Sequence, residues 1–189
     1  MKSVAATTYM TADEFLALPE DWRGHRSQLI DGEVVMNEPT ARHGHSQKKI
    51  LVALENWAVE SRGRGTVYVP LDVRLDARNV YAPDVSWYRD DRAPGFADRP
   101  PYPMPDLAVE VRSPSSWRRD VGIKKPGYER HGAGELWLID TVAHVVHVLR
   151  RSAQGAPRFD ISIDLHPGDA LTSPLLPGFE LPVGEIFGL

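Results

Sequence analysis

One short segment places a lone carboxylate in the middle of an apolar strand, and it constrains the fold more than any other feature. Residues 106–112 read DLAVEVR, so period-two alternation puts Ala108, Glu110 and Arg112 on one face and three apolar residues on the other. If both faces of this strand are covered, the Glu110 carboxylate is unfavourable unless another group pairs with it. The segment therefore predicts a strand and, if that strand is central in its sheet, a specific partner for Glu110.

Three kinds of partner for Glu110 are open from the residue pattern. Arg112 lies on the same face, and Lys124 comes from the helix that is predicted to follow. Either would make a buried ion pair, which is a structural role. A hard metal ion is the third possibility, because carboxylate oxygens are its preferred ligands, and this would make Glu110 part of a hydrolytic site.

A second isolated acid and a polar helix face accompany Glu110. Asp84 follows Pro83 at the start of an apolar run, where a short acid also commonly accepts hydrogen bonds from backbone N–H groups. Asp120, Lys124 and Tyr128 are spaced at i, i+4 and i+8, which places them on one helix face. The alternative interpretation of this spacing is an ordinary ion pair between Asp120 and Lys124 on the surface of the helix. The order of these residues along the chain is a more specific signal than any one of them: an acid, a second acid and then a lysine.

The remaining pattern predicts mixed helices and strands in one domain. A helix starts at Thr11, which can form a capping box with Glu14, and ends before Pro19. Asp31-Gly32 is a favoured two-residue hairpin turn. The other predicted elements are a helix at 44–62, a long strand at 67–75 that Pro70 marks as an edge or bulged strand, strands at 81–88 and 107–111, a helix at 118–132 interrupted by Pro126-Gly127, and strands at 135–139, 145–149 and 158–165.

Composition and length exclude several classes of protein. With 189 residues, 42% of them hydrophobic, the chain is long enough for a single domain with a full core. Its longest apolar runs are too short to cross a membrane, and no signal-peptide core stands near the N-terminus, so we expect a cytoplasmic protein. The absence of cysteine excludes thiolate zinc sites and cysteine nucleophiles. His43 and His45, ahead of the second helix, are too few for a zinc site.

Charge is distributed unevenly along the chain. The formal net charge of −4 argues against a non-specific, strongly basic nucleic-acid binder. Residues 112–130 nevertheless carry six basic and two acidic side chains. Such a local surplus is suited to a phosphate backbone, and a solvated helix face is the alternative interpretation.

The ordered motifs resemble the Uma2 (DUF820) family of restriction-endonuclease-like proteins, a branch of the PD-(D/E)XK nuclease superfamily. The match runs from about residue 10 to residue 140. Its motifs are LIDGE at 29–33, Pro39 with His43, PDV at 83–85, PDLAVEV at 105–111, SPS at 113–115, Asp120 with Lys124 and Tyr128, and ELW at 135–137. The resemblance implies an α/β (α+β) restriction-endonuclease-like domain over residues 1–189. Its nuclease core would span about 25–150, with a mixed, mostly antiparallel sheet flanked by helices, and 151–189 would be a strand extension.

The resemblance also implies an activity, which is Mg²⁺- or Mn²⁺-dependent hydrolysis of phosphodiester bonds in DNA by an endonuclease. Asp84 and Glu110 would bind the metal, and Lys124 would assist the attacking water. Where the family commonly has a glutamate as a third acid, this chain has Gln28. The substrate contacts implied are His43, Arg112 and Tyr128. Arg112 occupies the position of the superfamily's usual lysine, and an arginine does not accept a proton at neutral pH.

Two other functional classes are open. Gln28, the Pro126-Gly127 pair and the net negative charge favour a catalytically inactive nuclease fold that serves as a nucleic-acid or protein interaction module. A small-molecule metallohydrolase would use the same acids. A homodimer is compatible with the nuclease interpretation, because cleavage of both DNA strands needs two sites.

Overall fold

The computed structural model describes residues 9–19, 27–114, 116–153 and 155–189. Its helices are α1 (Ala12–Leu16), α2 (Ala41–Val59), α3 (Trp117–Arg119), a π-helical segment (Asp120–Lys124), α4 (Lys125–Arg130) and α5 (Val183–Phe187). Its strands are β1 (Ser27–Ile30), β2 (Glu33–Met36), β3 (Thr66–Tyr68), β4 (Val73–Asp76), β5 (Asn79–Tyr81), β6 (Val85–Tyr88), β7 (Leu107–Val111), β8 (Glu135–Asp140), β9 (Val145–Arg150), β10 (Ile161–Leu165), β11 (Ala170–Leu171) and β12 (Leu181–Pro182).

Two larger sheets organise these elements. One has six strands in the order β10-β9-β8-β7-β6-β3, and the other has four in the order β2-β1-β5-β4. The pair β7 and β8 is parallel, while the other named neighbours in both sheets are antiparallel. This mixed, mostly antiparallel architecture with flanking helices confirms the predicted fold class. No helix within the described ranges is long and apolar enough to cross a membrane.

Strand β7 lies in the interior of the six-stranded sheet, and its two faces differ as the alternation predicts. Val109 packs in the core cluster that contains Ile50 and Leu54 of α2. Ala108, on the opposite face, packs in the cluster that contains Tyr81 and Tyr128. Glu110 shares this second face, so its carboxylate points toward the segment between α3 and α4.

The two local signals near the N-terminus are confirmed. Asp31 and Gly32 both have positive φ angles, 51° and 85°, which is the backbone of a two-residue hairpin turn between β1 and β2. At the start of α1, the Thr11 side chain accepts a hydrogen bond from the Glu14 N–H, and the Glu14 side chain accepts one from the Thr11 N–H.

Two predicted strands are wrong as continuous elements. The stretch 67–75 divides into β3 and β4, which belong to different sheets, and the stretch 81–88 divides into β5 and β6 in the same way. Pro70 and Pro83 lie in the two breaks. A proline has no N–H for a sheet ladder, so each break is where the chain changes sheets. The second break leaves Asp84 in a connector at the edge of β6.

Helix α2 begins three residues before its predicted start and ends at Val59, not at residue 62. Its N-cap is Thr40, whose hydroxyl accepts a hydrogen bond from the His43 N–H at 3.3 Å. His43 and His45 therefore lie on the first turns of the helix and not ahead of it. Threonine is a favoured N-cap residue, so Thr40 marked the start of the helix, but the prediction followed the apolar spacing and began the helix later.

The predicted interruption at Pro126-Gly127 is wrong. The chain stays helical from Trp117 to Arg130, and the irregularity is the π-helical segment that precedes α4. Pro126 is the second residue after the π-helical segment, so the N–H that a proline lacks falls where the helical hydrogen bonding is already irregular. Gly127 has a packing reason, because a Cβ there would lie 2.7 Å from the Tyr81 hydroxyl oxygen. The absence of a side chain at Gly127 therefore allows α4 to approach Tyr81 of β5 closely.

Candidate active site

The pairing of β6 and β7 brings two predicted site residues to facing positions. Val85 pairs with Val109 in the antiparallel register, so the next positions along it are Asp84 and Glu110. The Asp84 Oδ2 accepts a hydrogen bond from the Val111 N–H at 2.7 Å. Asp84 therefore does accept from the backbone, and this bond ties the β5–β6 connector to the end of β7.

Glu110 has two direct partners from the helical segment that covers it. Lys124 Nζ lies 2.8 Å from Glu110 Oε2, and the Tyr128 hydroxyl donates to Oε1 at 2.5 Å. Lys124 Nζ also lies 3.1 Å from Asp120 Oδ1. Glu110 and Lys124 are 2% and 1% exposed, so this is a buried ionic cluster. Of the two side chains considered as partners for Glu110, Arg112 and Lys124, Lys124 is the one that the fold supplies.

Burial governs the protonation of this cluster. Desolvation raises the pKa of the Glu110 carboxyl, and the neighbouring Asp120 and Asp84 raise it further against the attraction of Lys124. Burial alone lowers the pKa of Lys124, but the carboxylates of Glu110 and Asp120 reverse that effect and raise it. Lys124 is therefore a fixed positive charge in this site at neutral pH.

Asp120 is oriented by a serine that the sequence interpretation did not include. The Ser116 hydroxyl donates to Asp120 Oδ2 at 2.7 Å, and the Ser113 hydroxyl contacts the Ser116 hydroxyl at 2.9 Å. All three side chains are buried. Ser116 stands four residues before Asp120, and this spacing was the signal that could have identified it.

His43 faces the other acid of the site. Its Nε2 lies 3.2 Å from Asp84 Oδ2, and the residue is 5% exposed. One turn later on α2, Gln47 donates a hydrogen bond to the Asp84 carbonyl oxygen at 2.8 Å. Gln47 was missed by the sequence interpretation, although it is four residues from His43 on the same helix face. Helix α2 therefore holds Asp84 through both its side chain and its backbone.

A cavity of about 350 Å³ gives access to Asp84 and His43. The break between β3 and β4 supplies Val69 and Pro70 to its wall, so the wrongly predicted strand 67–75 turns out to shape the site. The other lining residues are Asn37, Pro39 and Gln47. A larger cavity of about 790 Å³ lies beside the β1–β2 turn, but neither Asp84 nor Glu110 lines it.

Gln28 and Arg112 lie near the cluster but are engaged elsewhere. Gln28 is buried, and its Oε1 accepts a hydrogen bond from the Ala82 N–H at 3.1 Å, two residues before Asp84. Arg112 does not pair with Glu110. Its Nη1 lies 2.8 Å from both carboxylate oxygens of Asp140. Of the basic surplus in 112–130, Arg112 and Lys124 are thus held in ion pairs.

The chemistry of the donor atoms fits a hard divalent cation. Asp84, Glu110 and Asp120 are three buried carboxylates, and Lys124 supplies one positive charge against them. Within the described ranges, no three acidic or histidine side chains already converge as a complete ligand set. Mg²⁺ needs no such set, because it commonly binds one or two carboxylates and keeps several waters. Asp84 and Glu110 fit that description.

The sequence matches one protein family over nearly its whole length. The family is Uma2, described as "Putative restriction endonuclease", and the match covers residues 12–184. The chain belongs to the Uma2 family. This confirms the resemblance on which the site was predicted. No curated protein matches the chain.

The Uma2 assignment agrees with a solved structure of the same architecture. A crystal structure described as "a putative nuclease belonging to DUF820 from Anabaena variabilis ATCC 29413" superposes with a TM-score of 0.77. The two chains are 22% identical, and the alignment covers 95% of this chain and 98% of that one. At this identity, the likeness establishes the fold alone.

Proposed function

We propose that this Uma2 protein is a metal-dependent endonuclease that hydrolyses phosphodiester bonds in DNA. The observation that carries the proposal is the buried Glu110 carboxylate, which faces Asp84 across β6 and β7 and has Lys124 at 2.8 Å. Buried carboxylates with strongly perturbed pKa values, next to a fixed cation, concentrate at functional sites. The family description supports the reaction class.

Asp84 and Glu110 are the residues that would hold Mg²⁺ or Mn²⁺. When bound, such an ion neutralises phosphate charge and lowers the pKa of a coordinated water. Glu110 remains able to take part although Lys124 and Tyr128 contact it, because a carboxylate offers about four lone-pair sites.

The protein's own groups give the site its polarity. In the proposal, Lys124 steadies the attacking water and the charge that develops on phosphate oxygens, while Asp120 and Ser116 hold its ammonium in place. The Tyr128 hydroxyl is fully buried and donates to Glu110, so we assign it to positioning that carboxylate and not to direct substrate contact. Gln28 acts through the backbone of the connector that carries Asp84.

Two residues are proposed to contact DNA. His43 lines the cavity that leads to Asp84, and its imidazole is suited to a phosphate or sugar oxygen. The Arg112 side chain is partly exposed while it is paired with Asp140, and such a side chain is suited to a backbone phosphate next to the site. The ion pair with Asp140 would fix the orientation of the Arg112 guanidinium toward that phosphate.

The test is cleavage of duplex, single-stranded and branched DNA with Mg²⁺ or Mn²⁺. We expect Asp84→Asn and Glu110→Gln each to reduce the cleavage rate by at least about 100-fold. Glu135→Gln is the matched control, because Glu135 is a buried glutamate on the neighbouring strand β8 whose contacts are Trp137 and Ser173. Cleavage that persists in both site variants would overturn the proposal. The absence of cleavage of any of these DNA substrates with either metal would overturn it as well.

The interaction module is the second candidate, and the contacts that Glu110 already makes with Lys124 and Tyr128 favour it. Both Glu110 oxygens are already engaged, and the part of the chain that the structure describes holds no group of three acidic or histidine side chains that could ligate a metal ion. DNA affinity measured against salt concentration, with and without divalent metal, separates the two functions. Metal-independent binding that Glu110→Gln leaves unchanged would support the module. A panel of small phosphoesters tests the metallohydrolase in the same assay.

The single domain over 1–189 and the homodimer both remain proposals. Sedimentation of the intact protein, with and without DNA, tests the dimer. Limited proteolysis tests the domain, since one cooperative domain resists cleavage between the nuclease core and the strand extension.

A further inference from the structure

The side chain of Phe96 is fully exposed in the loop that joins β6 to β7. No other large apolar side chain in the described ranges is exposed to the same extent. A phenylalanine ring can bury about 150–250 Å² of surface, so leaving it in water forgoes a large favourable term. Single exposed apolar residues are common on protein surfaces, and what distinguishes Phe96 is its surroundings.

Hydrogen bonds on both sides of Phe96 hold the loop in place. In the turn at its tip, the Gly95 N–H donates to Asp98 Oδ2 at 2.7 Å, and the Asp98 N–H donates to the Gly95 carbonyl oxygen at 3.0 Å. The hydroxyl of Tyr68 in β3 donates to the Pro94 carbonyl oxygen at 2.6 Å. The ring is therefore carried by a fixed backbone, and a preorganised loop loses less conformational entropy when it binds.

A cavity of about 510 Å³ lies beside the start of the same loop. Its walls include Ala58 and the exposed Val59 at the end of α2, Arg62 in the segment that leads to β3, and Asp90 of the loop. Apolar side chains together with an arginine suit an aromatic ring, because a guanidinium is attracted to the face of the ring. Phe96 of the same chain is not among the residues that line this cavity.

The exposed ring and the cavity belong to one surface at the edge of the six-stranded sheet. Strand β3 is the last strand of that sheet, and its antiparallel pairing with β6 places segment 60–65 next to the start of loop 89–105. The edge of a sheet is a common place of association between chains. A surface that contains both a protruding ring and a cavity for such a ring can pair with itself about a two-fold axis.

Charge and position favour a second copy of the chain over DNA as the partner of this surface. Residues 89–99 carry three arginines and three aspartates, so they lack the basic surplus expected beside a side chain that wedges into DNA. The loop follows β6, whereas Asp84 precedes it, so the two lie at opposite edges of the sheet. Asp98 and Arg62 are both exposed and of opposite charge, which suits a contact between two copies.

We propose that the protein forms a two-fold symmetric homodimer in which Phe96 of each copy enters the cavity at Ala58, Val59 and Arg62 of the other. This inference rests on the homodimer of the proposed function and assigns its interface. The chemistry at Asp84 and Glu110 does not enter into it, so the cleavage assay and the test of the interface are independent.

Sedimentation equilibrium of the intact protein tests the role of Phe96. We expect a wild-type dimer whose dissociation constant rises at least about 30-fold in Phe96→Ala, as for an interface hot spot. Val142→Ala is the matched control, because Val142 is also an exposed apolar residue but lies in the turn between β8 and β9. Phe96 is fully exposed, so the variant should fold normally, and thermal unfolding followed by circular dichroism checks this.

Cross-linking tests the cavity, and the absence of cysteine from the chain makes the result specific. Phe96→Cys and Val59→Cys are prepared as separate variants, mixed and mildly oxidised. We expect a disulfide-linked dimer from this mixture, and none from Phe96→Cys mixed with Val142→Cys. Because each chain carries one cysteine, a bond between the two variants joins two copies of the protein.

The outcomes separate the interface from the proposed function. A wild type that is monomeric at every concentration overturns both the homodimer and this interface. A dimer that Phe96→Ala leaves intact overturns the interface alone, and so does a mixture of Phe96→Cys and Val59→Cys that does not cross-link. Loss of DNA affinity in Phe96→Ala, without a change in oligomeric state, would overturn it in favour of a contact with DNA.

Discussion

The Nζ of Lys124 lies 2.8 Å from Glu110 Oε2 and completes a buried cluster in which Asp120 is the third member. Each of the three side chains is at most 3% exposed. A buried ion pair of this kind contributes modestly when intact, yet it is strongly destabilising when one partner is removed and the other charge is left unpaired.

Lys124→Met should therefore reduce the free energy of unfolding by about 3–5 kcal/mol. The measurement is urea denaturation followed by circular dichroism. Lys125→Met is the control, because Lys125 is the adjacent residue and is partly exposed. Adding Glu110→Gln to Lys124→Met should recover about 1–3 kcal/mol, since the carboxylate left without its cation is then removed. Strictly additive losses would contradict the coupling.

Tyr128→Phe removes the hydroxyl that donates to Glu110 Oε1 at 2.5 Å. A hydrogen bond to a buried charged group contributes more than an exposed one, so we expect a loss of about 1.5–3 kcal/mol in unfolding free energy. Tyr102→Phe is the control, because the Tyr102 hydroxyl makes an exposed, 3.3 Å bond to the Asp98 carbonyl. Equal losses in the two variants would show that the Glu110 contact has no special strength.

Gly127→Ala tests the close approach of α4 to the sheet. Its Cβ would lie 2.7 Å from the hydroxyl oxygen of Tyr81, a residue that is itself buried. We expect destabilisation of about 1–3 kcal/mol from overpacking, measured by thermal and urea unfolding. Gly122→Ala, where no atom lies within 4 Å of the added Cβ, should instead be neutral or stabilising by up to about 1 kcal/mol. Equal changes in unfolding free energy in Gly127→Ala and Gly122→Ala would contradict the packing explanation.

Glu135 predicts a pH dependence of stability that is independent of the site. Burial raises the pKa of this carboxyl, although Ser173 and Trp137 donate hydrogen bonds to it. Because the folded state keeps the proton to higher pH than the unfolded chain, stability falls as pH rises from the unfolded pKa through the raised one. Glu135→Gln should remove this fall, so the free energy of unfolding of the variant should increase relative to that of the wild type as pH rises.

The measurement for Glu135 is unfolding free energy at several pH values across and above that window. The Ser173 hydroxyl can rotate to accept from the introduced amide, so we expect the variant to fold normally. Glu180→Gln, an exposed position, is the control and should follow the wild-type curve. If the unfolding free energies of the wild type and of Glu135→Gln change in parallel with pH, Glu135 does not titrate in this way.

Part of the candidate site was predictable because its signals are local. The alternation of 107–111 placed Glu110 against its apolar neighbours, and the spacing of Asp120, Lys124 and Tyr128 placed them on one helix face. The structure brings these four side chains together. The support from Ser116 and Gln47 was also encoded locally, at spacings of four residues, but such spacings are too common to select these residues without knowledge of the site.

The breaks at Pro70 and Pro83 show where local reasoning failed. A period-two pattern is satisfied equally by one long strand and by two short strands in different sheets, because alternation reports burial of a face and not the identity of the neighbouring strand. For the same reason Arg112 could not be assigned to Glu110 or to Asp140 in advance. Both acids suit a guanidinium, and only the pairing of β7 with β8 selects between them.

The sequence by itself determined that a carboxylate would be buried at Glu110, that Asp31-Gly32 would turn, and that the motif order is that of Uma2. Tertiary structure alone decided which group contacts each buried polar side chain. It gave Lys124 to Glu110, His43 to Asp84, and the Ala82 backbone to Gln28. The physical reason is that burial depends on a residue's own pattern, whereas its electrostatic partner comes from a distant segment and is set by how the sheets and helices pack.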